Sequence, residues 1–327
     1  MEIEQGKLPP PPGLVSSVAR GFDAVASHFL VILPPLLLDL FLWLGPRWRL
    51  TTFIQSLLDL SQGYLPASVS AADVEATQKV WQQIAADFNL FAALRTFPVG
   101  TPSLLAIQMP RQNPLGTPSA FESVTLPGFL GWTFVLVLAG WLVGALYYYW
   151  VAGISIQVEN RSLGKSLVHT LILSVFWMIL LVLVGFPAFT LIGALSLASQ
   201  EIAQVVMFFG AMTLTWLVMP VFFSAHGIFT FQLDALRSIL NSLRMVRFTL
   251  PNIALFLLAF VVINQGLNFL WTTPAQDSWW LLVGIGGHAF VSTALLAASF
   301  IYYRDINGWL KVVFEQLQKQ TTTIAKA

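Results

Sequence analysis

The chain predicts an all-α fold, a polytopic transmembrane helix bundle of about six spans, and three observations carry that expectation. First, 57% of its 327 residues are hydrophobic and only 9% are charged, against about 25% Asp, Glu, Lys and Arg in a soluble domain. Spread over one water-facing surface, 16 basic and 15 acidic side chains would leave very large apolar patches exposed. Second, six stretches run for about 20 residues with almost no charge, the length that crosses a hydrocarbon core. Third, Lys and Arg alternate between the connections of those stretches, as they do when basic residues near span ends stay on the cytoplasmic side.

The first stretch, residues 29–46, contains Pro34-Pro35 and Asp39. It follows a polar arm with a proline run at 9–12, and no small-residue cleavage site follows it at Gly45-Pro46, so it reads as a retained span. The second, residues 129–156, is long enough to tilt. The third and fourth, residues 167–198 and 202–231, are separated only by Ser199, Gln200 and Glu201 and form a hairpin. The fifth and sixth, residues 250–271 and 279–303, are joined by the turn TTPAQDS and form another. The expected organisation is an N-terminal arm over 1–27, a first span over 28–46, an extracytoplasmic insertion over 47–126, a five-span bundle over 127–304 and a tail over 305–327.

Arg161 and Lys165 follow the second span, Arg237, Arg244 and Arg247 the fourth, and Arg304 and Lys311 the sixth, whereas the turns after the third and fifth have no basic residue. Both termini are therefore expected to be cytoplasmic, in a plasma (inner) membrane. Arg47 and Arg49 break the pattern but adjoin a long loop, where the rule weakens. Tryptophans and tyrosines such as Trp43, Trp132, Trp150, Trp271, Trp279 and Tyr303 gather at span ends, as in an interfacial aromatic belt.

The stretches LYYYWVAGISIQV and VFFSAHGIFTFQL, and then SLGKSLVHTLILS and ALRSILNSLRMVR, invite comparison as repeats of one helical-hairpin unit, three in all. Unrelated amphipathic helices share the same apolar spacing, so both readings stand. Leu236, Ile239, Leu240 and Leu243 on one face, with Arg237, Asn241 and Arg244 on another, read as a helix lying along the inner membrane surface.

The insertion divides in two. Residues 50–94 read as helical, with Val74, Val80, Trp81, Ile84, Phe88 and Phe91 on one amphipathic face. Residues 97–127 are rich in proline, which removes amide donors and disfavours helix at preceding positions. That part is expected to be extended and packed, or loose, and its apolar SLLAIQM stretch favours a segment lying over the membrane mouth against a plain connector. Asp73, Glu75, Asp87 and Glu122 read as solvated charges.

The basic amphipathic linkers before odd-numbered spans and the exit pattern SFIYYRDINGWL, over residues 154–310, loosely resemble bacterial six-helix membrane domains attached to some glycerophosphodiester phosphodiesterases. NLFAALRTFPVGTPSLL and NPLGTP resemble uncharacterised membrane proteins of Chloroflexota type. Neither resemblance implies a catalytic residue, because the phosphodiesterase chemistry sits in a separate soluble domain.

Candidate sites are sought among polar residues inside spans, because burying them costs several kcal/mol unless they find partners. Asp39 lies near the middle of the first span; Asn264, Gln265 and Asn268 lie in the outer half of the fifth, with 264 and 268 one turn apart; His288 lies within the sixth beside Gly284, Gly286 and Gly287. If those faces converge they form a polar pocket open outward; otherwise they are interhelical hydrogen bonds that fix packing. His28, His169 and His226 sit at expected span ends, where an imidazole is ordinary. A histidine within a span can ligate a porphyrin-type pigment, but no attachment motif accompanies this one.

A net charge of +1 presents no basic field for nucleic acid, and the absence of cysteine excludes thiolate nucleophiles and Cys-based metal sites. There is no nucleophile elbow, Walker loop or paired-histidine motif, so neither a catalytic residue, a metal nor a cofactor is expected. The favoured expectation is a non-enzymatic membrane protein with an assembly, membrane-organising or accessory partner-binding role. It would meet the lipid bilayer through its spans and a membrane-protein partner through residues 47–126. The alternative is a transporter or permease component with a polar midplane site.

Overall fold

The computed structural model describes residues 9–62, 71–108, 110–122, 125–157 and 161–324. Of the described residues, 80% are helical. Among the described residues, five helices are long and apolar enough to cross a membrane: Leu126–Ile156, Leu163–Ile192, Glu201–Phe231, Ala235–Trp271 and Leu281–Lys319. Counting the pair Leu14–Ser27 and Phe29–Leu44 as one broken span, bent by 100°, makes six. This is the architecture of a multi-pass membrane protein.

The first span departs from its expected form. Helix α1 (Leu14–Ser27) already occupies much of the stretch expected as a polar arm, and it buries Ser17, Gly21 and Val25 at four-residue spacing. The break comes at His28, before Pro34-Pro35. Those prolines stand in the first turn of α2 (Leu33–Leu44), where a missing N–H costs nothing because helix-starting donors have no intrahelical partner. They start a helix instead of interrupting one.

The chain forms two compact units. The first holds Met1–Phe29, Tyr148–Asn264 and Ala294–Ala327. It contains α1, the end of α6 (Leu126–Ile156), α7 (Leu163–Leu180), α8 (Phe186–Ala198), α9 (Gln200–Phe223), α10 (His226–Phe231), most of α11 (Ala235–Trp271) and the later part of α12 (Leu281–Ile324). Its core gathers Phe223, Met245, Phe256, Tyr302, Tyr303 and Ile306. A π-helical turn at Leu181–Gly185 joins α7 to α8 just before Pro187, whose ring and missing N–H disrupt regular helical bonding there. The backbone breaks again after α9. Ser242 Oγ donates to the carbonyl of Pro220 and Ser238 Oγ to that of Ser224, both at 2.6 Å, supplying acceptors of the broken turn with donors from a neighbouring helix.

In α11 the expected interfacial segment is helical, and Leu236, Leu240 and Leu243 are exposed while Ser238, Ser242 and Met245 are buried. It ends at a kink, where Thr249 leaves helical geometry two residues before Pro251.

The second unit holds Leu30–Tyr147 and Gln265–Thr293. Besides α2 and the parts of α6, α11 and α12 within those limits, it contains the insertion, built from β1 (Arg47–Arg49), α3 (Thr51–Gln62), α4 (Ala71–Asp87), α5 (Leu105–Gln108) and β2 (Ala120–Glu122). Strands β1 and β2 pair in parallel, with Trp48 opposite Phe121, a contact that no alternating pattern in such short segments announces. Trp48 packs against Phe91, Phe121 and Trp132 at 5.0–6.2 Å between ring centroids. Asn89 Oδ1 accepts from the amides of Trp48 and Phe91, tying the strand to the end of the helical part. The amphipathic face expected along and just beyond α4 is only partly covered: Val74, Phe88 and Phe91 are half-buried, whereas Val80, Trp81 and Ile84 are exposed and Ala85 is buried.

Candidate functional site

Asp39 lies on α2 and is fully buried. An isolated carboxylate there would forfeit its hydration, so its acceptor capacity has to be filled from the protein. The proline-rich part of the insertion fills it. Ser103 Oγ and the Leu105 amide (3.1 Å) donate to one carboxylate oxygen, and the Leu104 amide (2.9 Å) donates to the other. Ser103 Oγ also accepts from the Ala106 amide at 3.0 Å, so the same hydroxyl caps the first turn of α5 while it holds the carboxylate.

This latch explains why the loop before α5 is buried although it is irregular. Val99, Thr101, Ser103, Leu104 and Leu105 are all at most 6% exposed. On α6, Gly140 and Gly144 face the same loop with no side chain between the backbones. A Cβ on Gly140 would fall 2.2 Å from the Leu94 carbonyl oxygen, and one on Gly144 would fall 2.6 Å from the Gly100 Cα. Glycine is required at both positions by approach distance alone.

Asn268 Oδ1 and His288 Nδ1 lie 2.8 Å apart. The acceptor on Asn268 requires a proton on Nδ1, which in a neutral ring leaves Nε2 as the lone-pair nitrogen. That Nε2 is buried without a hydrogen-bond partner, as are Thr101 Oγ1 and Trp271 Nε1 in the same unit. Trp271 lies against Gly284 and Gly287 of α12, whose missing side chains make room for it. Arg95, exposed at the end of the helical part of the insertion, is close enough for its charge to act on both Asp39 and His288.

The five candidates do not form one constellation. Asp39 is satisfied by residues 103–105 rather than by Asn268 or His288. Gln265 is exposed, Asn264 is half-buried and falls in the first unit, and among the described residues neither side chain makes a hydrogen bond. Residues 264 and 268 do share a helix face by spacing, but only Asn268 meets His288.

The acidic residues of the insertion are less solitary than expected. Asp87 accepts from Arg111, which holds its carboxyl below the ordinary value of 3.8. Glu75 pairs with Lys79 at 2.7 Å, and Glu122 accepts from Thr52. The side chain of Asp73 lies outside the described residues.

His226, dismissed as interfacial, is 1% exposed in the first unit. Its Nε2 is 2.7 Å from Ser299 Oγ, and the rings of Phe222, Phe223, Phe300 and Tyr303 lie 4.5–5.6 Å from its own. The signal in the sequence was that the apolar run continues on both sides of it, through FFSAHGIFTF. Among the described residues no cluster of three or more His, Asp or Glu side chains is arranged to hold a metal ion. No protein family, curated protein or solved structure matches this chain.

Proposed function

We propose that this chain is a non-enzymatic integral membrane protein with an assembly, membrane-organising or accessory partner-binding role, and that residues 47–126 carry its contact surface. One observation carries the reading: α3 and α4 present Leu57, Leu60, Val80, Trp81 and Ile84 outward, each at least 45% exposed, on elements too polar to be spans. Exposed apolar residues grouped around a tryptophan mark a contact surface. The filled acceptors of Asp39 support the same reading, because a carboxylate held by its own chain is a fastener.

The basic-residue pattern supports cytoplasmic termini, with the insertion on the opposite side. The hairpin-repeat reading gains one support. Gln157 and Gln232 occupy matching places in the two compared stretches, and both take positive φ, 46° and 52°, where a helix ends.

The test places a photo-crosslinking amino acid at Trp81 and, on the polar side of α4, at Gln83, in native membranes. A single discrete protein adduct at Trp81 that is absent at Gln83 is the expected result. Adducts to lipid alone at Trp81 would make α4 a membrane-resting helix and end the partner reading.

A second reading, a transporter or permease component, is favoured by the unpartnered His288 Nε2, Thr101 Oγ1 and Trp271 Nε1. Each such buried atom costs about 1–3 kcal/mol that water or a ligand would recover. Because the chain has no cysteine, Thr101→Cys gives a single thiol. Labelling of that thiol by a membrane-impermeant maleimide in the folded protein would show an aqueous path, and complete protection would remove this reading.

A further inference from the structure

We propose that Arg244 and Arg247 on α11 form a binding site for the phosphate of an anionic phospholipid headgroup at the membrane interface. Arg244, Arg247 and Phe248 share one side of the helix by their three- and four-residue spacing. The Arg244 guanidinium carbon lies 4.9 Å from the centroid of the Phe314 ring, and that of Arg247 lies 5.7 Å from the Phe248 ring. The two rings meet edge to face at 5.1 Å, so both cations rest on one aromatic platform. Phe314 in turn packs against the core of the first unit, which fixes the platform in place.

Neither arginine has a carboxylate partner among the described residues. Arg20, Arg111, Arg237 and Arg304 are all paired with aspartates. Glu315, next to Phe314, makes no ion pair with either arginine, and exposed Lys311 adds a positive charge one turn before Phe314. Two like charges three residues apart repel unless an anion lies between them. A guanidinium held on a ring keeps its in-plane N–H donors free for the bidentate recognition of a phosphate.

The surroundings select a lipid over a soluble anion. Leu236, Leu240 and Leu243 form an exposed apolar stripe beside the arginines, at 65%, 54% and 46% exposure. The segment ends at the Thr249–Pro251 kink, after which α11 runs on as an apolar span. An arginine stripe bordering a leucine stripe at the mouth of a span matches a phosphate joined to acyl chains. The site lies outside residues 47–126 and stands whether or not the partner reading does.

The test is thermal unfolding of the full-length protein in neutral detergent micelles, titrated with phosphatidylglycerol, phosphatidylcholine or inorganic phosphate. Phosphatidylglycerol should raise Tm and phosphatidylcholine and inorganic phosphate should not, and the R244Q/R247Q variant should lose about half or more of the rise. R237Q, whose arginine is paired with Asp234, should keep the rise, and R244K/R247K should fall between, having the charge without the fork. Should the double glutamine variant unfold on purification, single R244Q, at an exposed position, is scored by lipid adducts in native mass spectrometry, where loss of phosphatidylglycerol adducts supports the site. An undiminished rise in R244Q/R247Q, retained adducts in R244Q, or an equal rise with phosphatidylcholine overturns the proposal. An equal rise with inorganic phosphate makes the ligand a soluble anion and overturns it too.

Discussion

At the scale of single residues, Asp39 separates two uses of a buried charge. A carboxylate that binds a substrate must leave acceptor capacity for it, whereas Asp39 spends both oxygens on Ser103, Leu104 and Leu105. Asp39→Ala strands two amides and a hydroxyl in a buried place, and should destabilise the protein by about 2–5 kcal/mol. Asp39→Asn keeps the shape but turns an acceptor into a donor facing an N–H, for a loss of about 1–3 kcal/mol. Both are read as lowered unfolding midpoints in micelles, and a stability-neutral Asp39→Ala would refute the latch. The Asp87–Arg111 pair makes an opposite, small prediction. The Asp87 carboxyl is held below its ordinary 3.8 in the folded state by the Arg111 hydrogen bond, so the pair stabilises fully above 3.8 and loses that contribution as pH falls through the depressed value. With the two side chains 59% and 36% exposed, solvent screening keeps the contribution small. Arg111→Gln should therefore lower the unfolding midpoint slightly near neutral pH, and the difference from the unaltered protein should vanish in acid.

At the scale of elements, the close approaches are made by glycines whose roles differ though their helix is the same. Gly144→Val on α6 drives a side chain into the backbone at Gly100, and should cost about 1–3 kcal/mol or more by forcing the loop before α5 outward. Gly131→Ala on the same helix meets no atom within 4 Å and should be neutral or stabilising by up to about 1 kcal/mol. Measured side by side, equal effects at the two positions would show that the loop is not seated on α6. Helix boundaries also turn on small features. The five long apolar stretches from residue 126 onward were legible because span length and the absence of charge are local properties. The start of α1 was not, because its buried face is made of Ser17, Gly21 and Val25, which carry little hydrophobic signal. A Cβ on Gly21 would lie 2.5 Å from the Ala294 carbonyl oxygen, so packing rather than apolar character holds that helix.

At the scale of the whole molecule, the prediction concerns which side each connection occupies. Reporter fusions at Ser199 and Asp277 should read extracytoplasmic, and one at the C-terminus should read cytoplasmic, as the alternation of Lys and Arg requires. Any other pattern would break the topology on which the lipid site and the contact surface are placed. Composition and the spacing of charge were enough to determine a helical membrane chain with five or six spans, because a bilayer imposes its demand on every run of about 20 residues independently. Tertiary structure alone decided what the polar residues do. Asp39 finds Ser103 across 64 residues of chain, inside a proline-rich loop whose pattern specifies no element. It also turned Trp81 outward and brought Phe314 under Arg244. Which side of an amphipathic helix is covered, and which donor reaches a buried carboxylate, are settled by elements far apart in sequence that meet only when the chain packs.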